Sequence, residues 1–577
     1  MLVEAKWFLY KYKRLLVALG LLVALIYLVY EGFHNDVATN YANQQLSKIG
    51  IYKIKYPSVK QVDALFENTE NQYSNVLFSY LNSKKETGLP ETVPFSWNQF
   101  LDLDSYFARK DIQDKLLKEN SCLKLERHFG KPEAVSFNCK DEKFDNLIPY
   151  KINENIFLYL TADNRVLLKN LYLQTSAPNP ASLVYLMDDL VYQFPVDPKS
   201  QLIKIEEPGS LDKNLDRFKT NFAAKFIHKP LADLFESKTL SKFDFSADWP
   251  EVLDFDAPKY FSEAYTLNEP KASAYDWRFF DHLQAFDMNQ RHAILKRLMR
   301  GWSHFSQQFN IFSWINKESM VGWYWNGLNL PWTNDLDIQL SASEFDKLLK
   351  FNNTLVFDYN DSSKGHYNVF YLDINPYYSK IRGNNNNMVN ARFIDVMSGV
   401  VMDVTVLILV EDFQGLMSSK SLTEKERARF KDLERKESMA LYDSSYITYP
   451  VDQLSTFIPA LFENEITYVP AKYEDIIQSK HKSLIGATAL QGHKYRQFLR
   501  LWVNQENCKI DEKAIVSPST KHDDEECKKN SQQVRELYEK TKKVTIQHFL
   551  ELNNFEKFKD NLQNYKLSIP RDARRTF

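Results

Sequence analysis

From Asp335 to Leu340 the chain alternates polar and aliphatic residues, Asp-Leu-Asp-Ile-Gln-Leu. A period of two fits a β-strand with one polar and one apolar face, so Asp335 and Asp337 project together while Leu336, Ile338 and Leu340 point into a core. Two carboxylates held that close repel one another, and Mg²⁺ or Mn²⁺ bridging to a substrate phosphate is the usual relief. A solvated strand end carrying two acids is the plain alternative. A second segment, ARFIDVMSGVVMDVTVL from Ala391 to Leu407, reads as a hairpin with strands at 392–396 and 400–407 and Ser398-Gly399 at the turn. Its acids, Asp395 and Asp403, are candidates for a third ligand, since an acid in so apolar a strand is costly to bury without a partner. One of them capping the turn is the competing reading.

The longer run from Gly322 to Leu340, GWYWNGLNLPWTNDLDIQL, joins a Gly-Trp opening, a Pro331-Trp332 turn and the alternating strand. It resembles the LicD/fukutin family, whose hallmark is approximately PWDDDIDI, and within that family the fungal proteins that act in mannosylphosphorylation of cell-wall glycans. The resemblance implies a nucleotidyltransferase-like fold related to that of polymerase β, in which a strand-borne Asp-x-Asp and a third acid on a neighbouring strand hold a metal. On that likeness Asp335, Asp337 and Asp403 are the catalytic and metal-binding acids, with Asp395 in reserve, and Ser319, Gly322 and Trp332 lie against the nucleotide-sugar. The implied cofactor is Mn²⁺ or Mg²⁺, the donor GDP-mannose, the product a mannose-1-phosphate diester and the by-product GMP. Asp395 and His366 are the candidates for a general base.

Three positions depart from the family pattern. Glu318 stands where the family has glycine, placing a negative charge beside the expected phosphate. Thr333 takes the first of the three alternating acidic positions. Asn464 replaces the glycine of a later Phe-Glu-Gly step, where Glu463 is either a site contact or part of a turn. The first two departures support a second reading, a non-catalytic positive regulator of a transferase partner. A third is a structural Golgi protein that binds glycans through Trp302, Trp314, Trp323, Trp325 and Trp332, although a core role suits most of these residues.

Leu15 to Tyr30 is a sixteen-residue run without charge, preceded by Lys6, Lys11, Lys13 and Arg14. As a helix it reaches about 24 Å, enough for a thin early-secretory bilayer. The basic flank orients the amino end to the cytosol. A cleaved signal peptide competes, but no small-x-small site follows Tyr30. The expectation is a single-pass type II Golgi membrane protein with a lumenal catalytic-type domain. The four cysteines fall as two local pairs, Cys122 with Cys139 and Cys508 with Cys527. Local disulfides suit an oxidising lumen, and neither pair has zinc-site spacing.

At 577 residues and 44% hydrophobic content the chain exceeds one core. Its net charge of −2 gives no electrostatic footprint for nucleic acid; the resemblance implies a sugar nucleotide and a mannan glycan as partners. The fold class expected is α+β. Residues 1–14 read as a cytosolic tail, 15–30 as a transmembrane signal anchor, and 31–138 as a stem and helical region. An accessory sheet-containing region with a connection covers 139–274, the LicD-like domain 275–503, and a helical region 504–577. Within them, 278–309 carries a helical stripe, 183–191 an apolar run, 423–442 a charged helix, and His366, His481 and His493 lone histidines.

Overall fold

The computed structural model describes residues 288–358, 368–375, 389–410, 424–436, 440–443, 447–485, 488–508 and 519–558 with few gaps, and short segments before them, among which 182–186 and 191–195 matter here. The expected anchor, the stem helices and the Cys122–Cys139 pairing lie outside the described residues. Among those described, no helix is long and apolar enough to cross a membrane.

Helix α1 (Met288–Gln308) buries Ile294, Leu295, Leu298, Met299, Trp302 and Phe305. These positions recur every three or four residues, the stripe that turns one helix face to a sheet. The Trp302 indole N–H donates to Ser313 Oγ at 3.0 Å, so this large core ring leaves its polar atom satisfied. Gly301 faces the sheet too, and a Cβ there would stand 2.2 Å from the ring of fully buried Phe370. Gly301→Ala is therefore expected to destabilise the fold by about 1–3 kcal/mol, read as a lower midpoint in chemical denaturation. The helix-propensity gain of alanine, about 1 kcal/mol, is the smaller effect if the ring has nowhere to move.

In chain order the main strands are β1 (Ser182–Leu186), β2 (Val191–Pro195), β3 (Ser313–Ile315), β4 (Leu336–Ser341), β5 (Thr354–Asp358), β6 (Asn368–Ile374), β7 (Ala391–Asp395), β8 (Val401–Val410), β9 (Ala440–Asp443) and β10 (Thr448–Pro450). They form one ten-stranded mixed sheet. Along one edge of β8 run β7, β6, β5, β1 and β2, then β9 and β10 beside its far end; along the other lie β4 and β3. The β4 and β8 strands are parallel, as are β5 and β1. Helix α2 (Lys317–Asn326) connects β3 to the loop before β4, and α3 (Ala342–Leu348) follows β4.

Two features differ from expectation. The apolar run 183–191 is not one element but the β1–β2 hairpin, and β1 pairs with β5, so these strands extend the main sheet rather than forming a sheet of an accessory region. The charged helix α4 (Glu424–Lys436) ends short of 442, because Ala440, Leu441 and Tyr442 pair with the apolar end of β8. The region expected to be helical, 504–577, holds α6 (Lys521–Asn530) and α7 (Gln532–Phe558), which follow β13 (His493–Arg496) and β14 (Leu501–Asn504), and the first of them is capped by a reciprocal Thr520–Asp523 box. Cys508 and Cys527 form a disulfide, and Val534 and Val544 share a buried cluster with Leu328, Leu499, Leu501 and Val503.

A separate hairpin, β11 (Thr456–Phe462) and β12 (Glu465–Pro470), turns at Glu463-Asn464, both left-handed at φ 54° and 71°. That is the geometry of a two-residue type I′ turn. Against β11 lies Glu551 of α7, whose carboxylate accepts the Leu461 N–H at 3.3 Å and a Gln547 amide N–H at 3.2 Å. Burial dominates and pushes the Glu551 carboxyl up to about 7, against these two hydrogen bonds. A raised acid favours the fold while protonated, so this contribution is complete below about pH 4.5 and is lost as pH rises through 7. Glu551→Gln is expected to be the more stable protein at pH 8, by up to about 3 kcal/mol, with no gain at pH 4.5; melts at the two pH values test this.

Candidate acid site on paired parallel strands

The register of β8 fixes the site. Asp403 is the partner of Asp337 across the parallel β4–β8 pair and of Arg392 across the antiparallel β7–β8 pair. Neighbouring strands lie about 4.8 Å apart, so Arg392, Asp403 and Asp337 form a row across three strands. Arg392 Nε donates to Asp403 Oδ1 at 2.9 Å, and Lys317 Nζ donates to Asp337 Oδ1 at 2.9 Å. The row thus reads cation, anion, anion, cation. Asp335 lies immediately before β4, where repulsion from both Asp337 and Asp403 reaches it.

The start of α2 holds Asp337 through its backbone as well. The Asn316 N–H donates to the Asp337 carbonyl at 2.9 Å, and Ser319 Oγ accepts the Asp337 N–H at 3.0 Å. Lys317 between them has φ 44°, a left-handed conformation that costs a long side chain about 1–3 kcal/mol. The Asn316 side chain does not cap the helix; its amide donates to Tyr449 Oη at 3.4 Å instead. On the same face of β4, Gln339 accepts the Trp314 indole N–H at 3.1 Å and donates to Asp443 at 3.0 Å.

The electrostatics record an excess of negative charge. Burial, then repulsion from Asp337 and Asp403, pushes the Asp335 carboxyl well above the usual carboxylate range, against the attraction of Lys317. Asp337, 5% exposed, is pushed up to about 6 by burial, with Glu318 and Asp403 adding to the shift and Lys317 opposing it. For Lys317, burial works against its charge, but Asp337, Asp403 and Asp443 outweigh it and hold the ammonium protonated. His481, at the end of helix α5 (Tyr473–Lys480), lies within the field of Asp337 and Lys317; burial lowers its pKa.

The other sequence candidates take varied places. Ser319 is buried and its hydroxyl is engaged with Asp337. Gly322 serves packing: a Cβ there would lie 2.4 Å from the Leu328 carbonyl oxygen, so glycine lets the loop before β4 fold back on α2. Thr333 donates to the Leu330 carbonyl at 2.8 Å and closes a turn. Trp332 is half-buried, with ring centres 5.1 Å from Trp502 and 5.5 Å from His493, while Trp302, Trp314, Trp323 and Trp325 are core residues. Asp395 belongs to the hairpin turn and to α1: it accepts two bonds from Arg297, at 3.0 and 2.6 Å, and the Ser398 N–H at 2.9 Å. Glu463 accepts the Asn329 N–H at 2.6 Å and pairs with His292 at 3.5 Å, tying down the loop that leads to Asp335. His366 lies outside the described residues.

Sequence reasoning missed Lys317 and Arg392. Counting does not find Arg392, because a two-residue turn at Ser398-Gly399 would set Ile394 against Asp403, whereas the observed register sets Arg392 there. Lys317 carries no sequence signal either. Carboxylate oxygens are the donors that Mg²⁺ or Mn²⁺ prefers, and three acids with Glu318 against two internal cations leave the negative excess that a divalent ion would offset. The donor set fits such an ion in type and charge. Its arrangement does not: among the described residues no group of three or more His, Cys, Asp or Glu side chains is placed to hold a metal ion, and Lys317 and Arg392 each pair with one of the acids.

The chain therefore presents a mixed helix and sheet fold with a charged row on paired parallel strands. No family model matches it. It is similar to Mannosyltransferase regulator 4 of Saccharomyces cerevisiae, at 31% identity over 154 residues, which is 26% of this chain and 13% of that protein. It is likewise similar to Mannosyltransferase regulator 14 of the same yeast, at 31% identity over 172 residues, 29% of this chain and 18% of the relative. The chain thus matches less than a fifth of the length of either relative.

Proposed function

We propose that this chain works in the Golgi lumen as a LicD-type mannosylphosphate transferase, moving mannose-1-phosphate from GDP-mannose to an acceptor mannose of N- or O-linked mannans. The observation that carries the reading is the register of Asp403 against Asp337, with Asp335 next to both. Asp335, Asp337 and Asp403 would hold Mn²⁺ or Mg²⁺, which when bound neutralises charge on the donor diphosphate. Arg392 orients Asp403, and Asn316 and Ser319 fix the backbone that presents Asp337. Trp332, braced by Trp502, offers a face on which a base or sugar can stack. The uncharged run 15–30 would anchor the chain in the membrane. The test is an assay of the purified chain with GDP-mannose, a mannan oligosaccharide and Mn²⁺. GMP and a mannose phosphodiester are the expected products, and absence of both at saturating Mn²⁺ overturns the reading.

A second reading, a positive regulator that positions a partner transferase, is favoured by one specific observation: Lys317 and Arg392 already neutralise two of the acids, and Glu318 opposes an incoming phosphate. The names of the two yeast relatives lean the same way. A chain inert in that assay alone, yet raising the rate of a transferase added with it, would establish this reading instead.

A further inference from the structure

We propose that Asn352 is a glycosylation site, an exposed side-chain amide that takes an oligosaccharide from a lipid-diphosphate donor while the chain is being made. The inference rests on the lumenal placement proposed above and on no property of the acid row.

The sequence carries two Asn-x-Ser/Thr sequons, Asn352-Asn353-Thr354 and Asn360-Asp361-Ser362, and side chains of the second lie outside the described residues. A sequon alone says little, since the tripeptide recurs by chance. What distinguishes the first is where its atoms point. Asn352 follows the 3₁₀ turn Leu349–Phe351, directly precedes β5 and is exposed. Its Oδ1 accepts the Ile374 N–H, at the end of β6, at 3.0 Å. A backbone N–H requires an acceptor, so the oxygen must face β6 and Nδ2 takes the other side of the amide. Among the described residues that Nδ2 has no hydrogen-bond partner.

Asn353 is the opposite case. Its Nδ2 donates to the Asn179 carbonyl at 3.1 Å and its Oδ1 accepts the Tyr371 hydroxyl, on a left-handed backbone at φ 58°. One asparagine is thus built into the end of the sheet and the other is left at the surface. A sugar on Asn352 Nδ2 breaks none of these bonds, and Ile374 keeps its acceptor.

Thr354 sets the timing. Its hydroxyl completes the sequon, yet in the fold the residue is fully buried with Oγ1 2.7 Å from Ser182 Oγ. Transfer therefore precedes the pairing of β5 with β1. In that step the Asn352 nitrogen bonds to the anomeric carbon of the first sugar as that carbon's bond to the lipid diphosphate breaks. The diphosphate leaves with the electron pair, and one amide proton passes to a base of the membrane-bound oligosaccharide transferase.

The test is expression of the full chain, with a reporter sequon in a C-terminal tag, in a yeast secretory host. Enzymatic release of glycans in heavy-oxygen water marks each occupied asparagine as labelled aspartate, and fragment spectra of the tryptic peptide 351–364 separate Asn352 from Asn360. At least half of the chains are expected to be marked at Asn352. Asn352→Asp keeps an oxygen for the Ile374 N–H and should lose one gel-mobility step while accumulating to the wild-type level. A marked tag with Asn352 unmarked overturns the inference and leaves the lumenal reading standing; an unmarked tag overturns both. In a pulse-chase the glycan should be present at the first time point, and its arrival only during the chase overturns the transfer to the unfolded strand.

Discussion

If the chain is the transferase proposed above, Asp337→Asn is expected to lower mannosylphosphate transfer by about 10³-fold, the scale at which loss of one preorganised charged group is felt in a site that handles phosphate. The same change leaves Lys317 facing an amide, and breaking a largely buried ion pair costs about 2–3 kcal/mol here, the lower end because Lys317 is partly solvated. A fall in activity could then reflect a fall in folded protein. The double variant Asp337→Asn/Lys317→Met separates the two, since removing both charges restores the balance that removing one destroys. It should melt close to wild type and still fail to release GMP from GDP-mannose. Recovery of transfer in the double variant would show that Asp337 serves only to neutralise Lys317, and would leave the regulator reading in place.

The second large effect concerns the hairpin's other acid. Asp395, 1% exposed, takes two hydrogen bonds from Arg297 of α1 and both the N–H and hydroxyl of Ser398 in the turn. Asp395→Asn would place an amide N–H against the guanidinium and remove the charge that holds α1 to the turn. A loss of about 3 kcal/mol is expected, equivalent to a fall of roughly 6–12 °C in melting temperature for a domain of this size. Mn²⁺ affinity of the folded variant should stay within twofold of wild type. A variant that melts normally but binds Mn²⁺ poorly would move Asp395 from the turn into the site.

Sequence periodicity revealed the elements whose partners are local. The stripe on α1, the alternation of β4 and the existence of the hairpin around Ser398-Gly399 follow from spacing, although its register does not, since Arg392 rather than Ile394 faces Asp403. What spacing could not reveal is pairing between distant segments. The parallel contact of β4 with β8 lies 66 positions apart in register, from Asp337 to Asp403, and nothing in either strand names the other. The same holds for β1, whose aliphatic run fits any buried strand until β5 claims it. The end of α4 was hidden for a related reason, because Ala440 to Tyr442 continue a helical pattern and only pairing with the far end of β8 draws them into a strand. Lys317 was hidden in another way: a single lysine next to Glu318 looks solvated, and its pairing depends on a backbone conformation that spacing does not encode.

The pairing of β1 with β5 also sets a schedule. Ser182 Oγ meets Thr354 Oγ1 at 2.7 Å across 172 positions. At ribosomal rates of about 5–20 residues per second, Leu183 to Leu186 emerge roughly 10–30 s before the strand that will shelter them. During that interval only the hairpin partner Val191–Pro195 is available, and two-stranded hairpins are marginal in water. The nascent chain therefore presents an aliphatic strand edge to whatever accompanies synthesis, and its yield should depend on translation speed and chaperone supply more steeply than its final stability suggests.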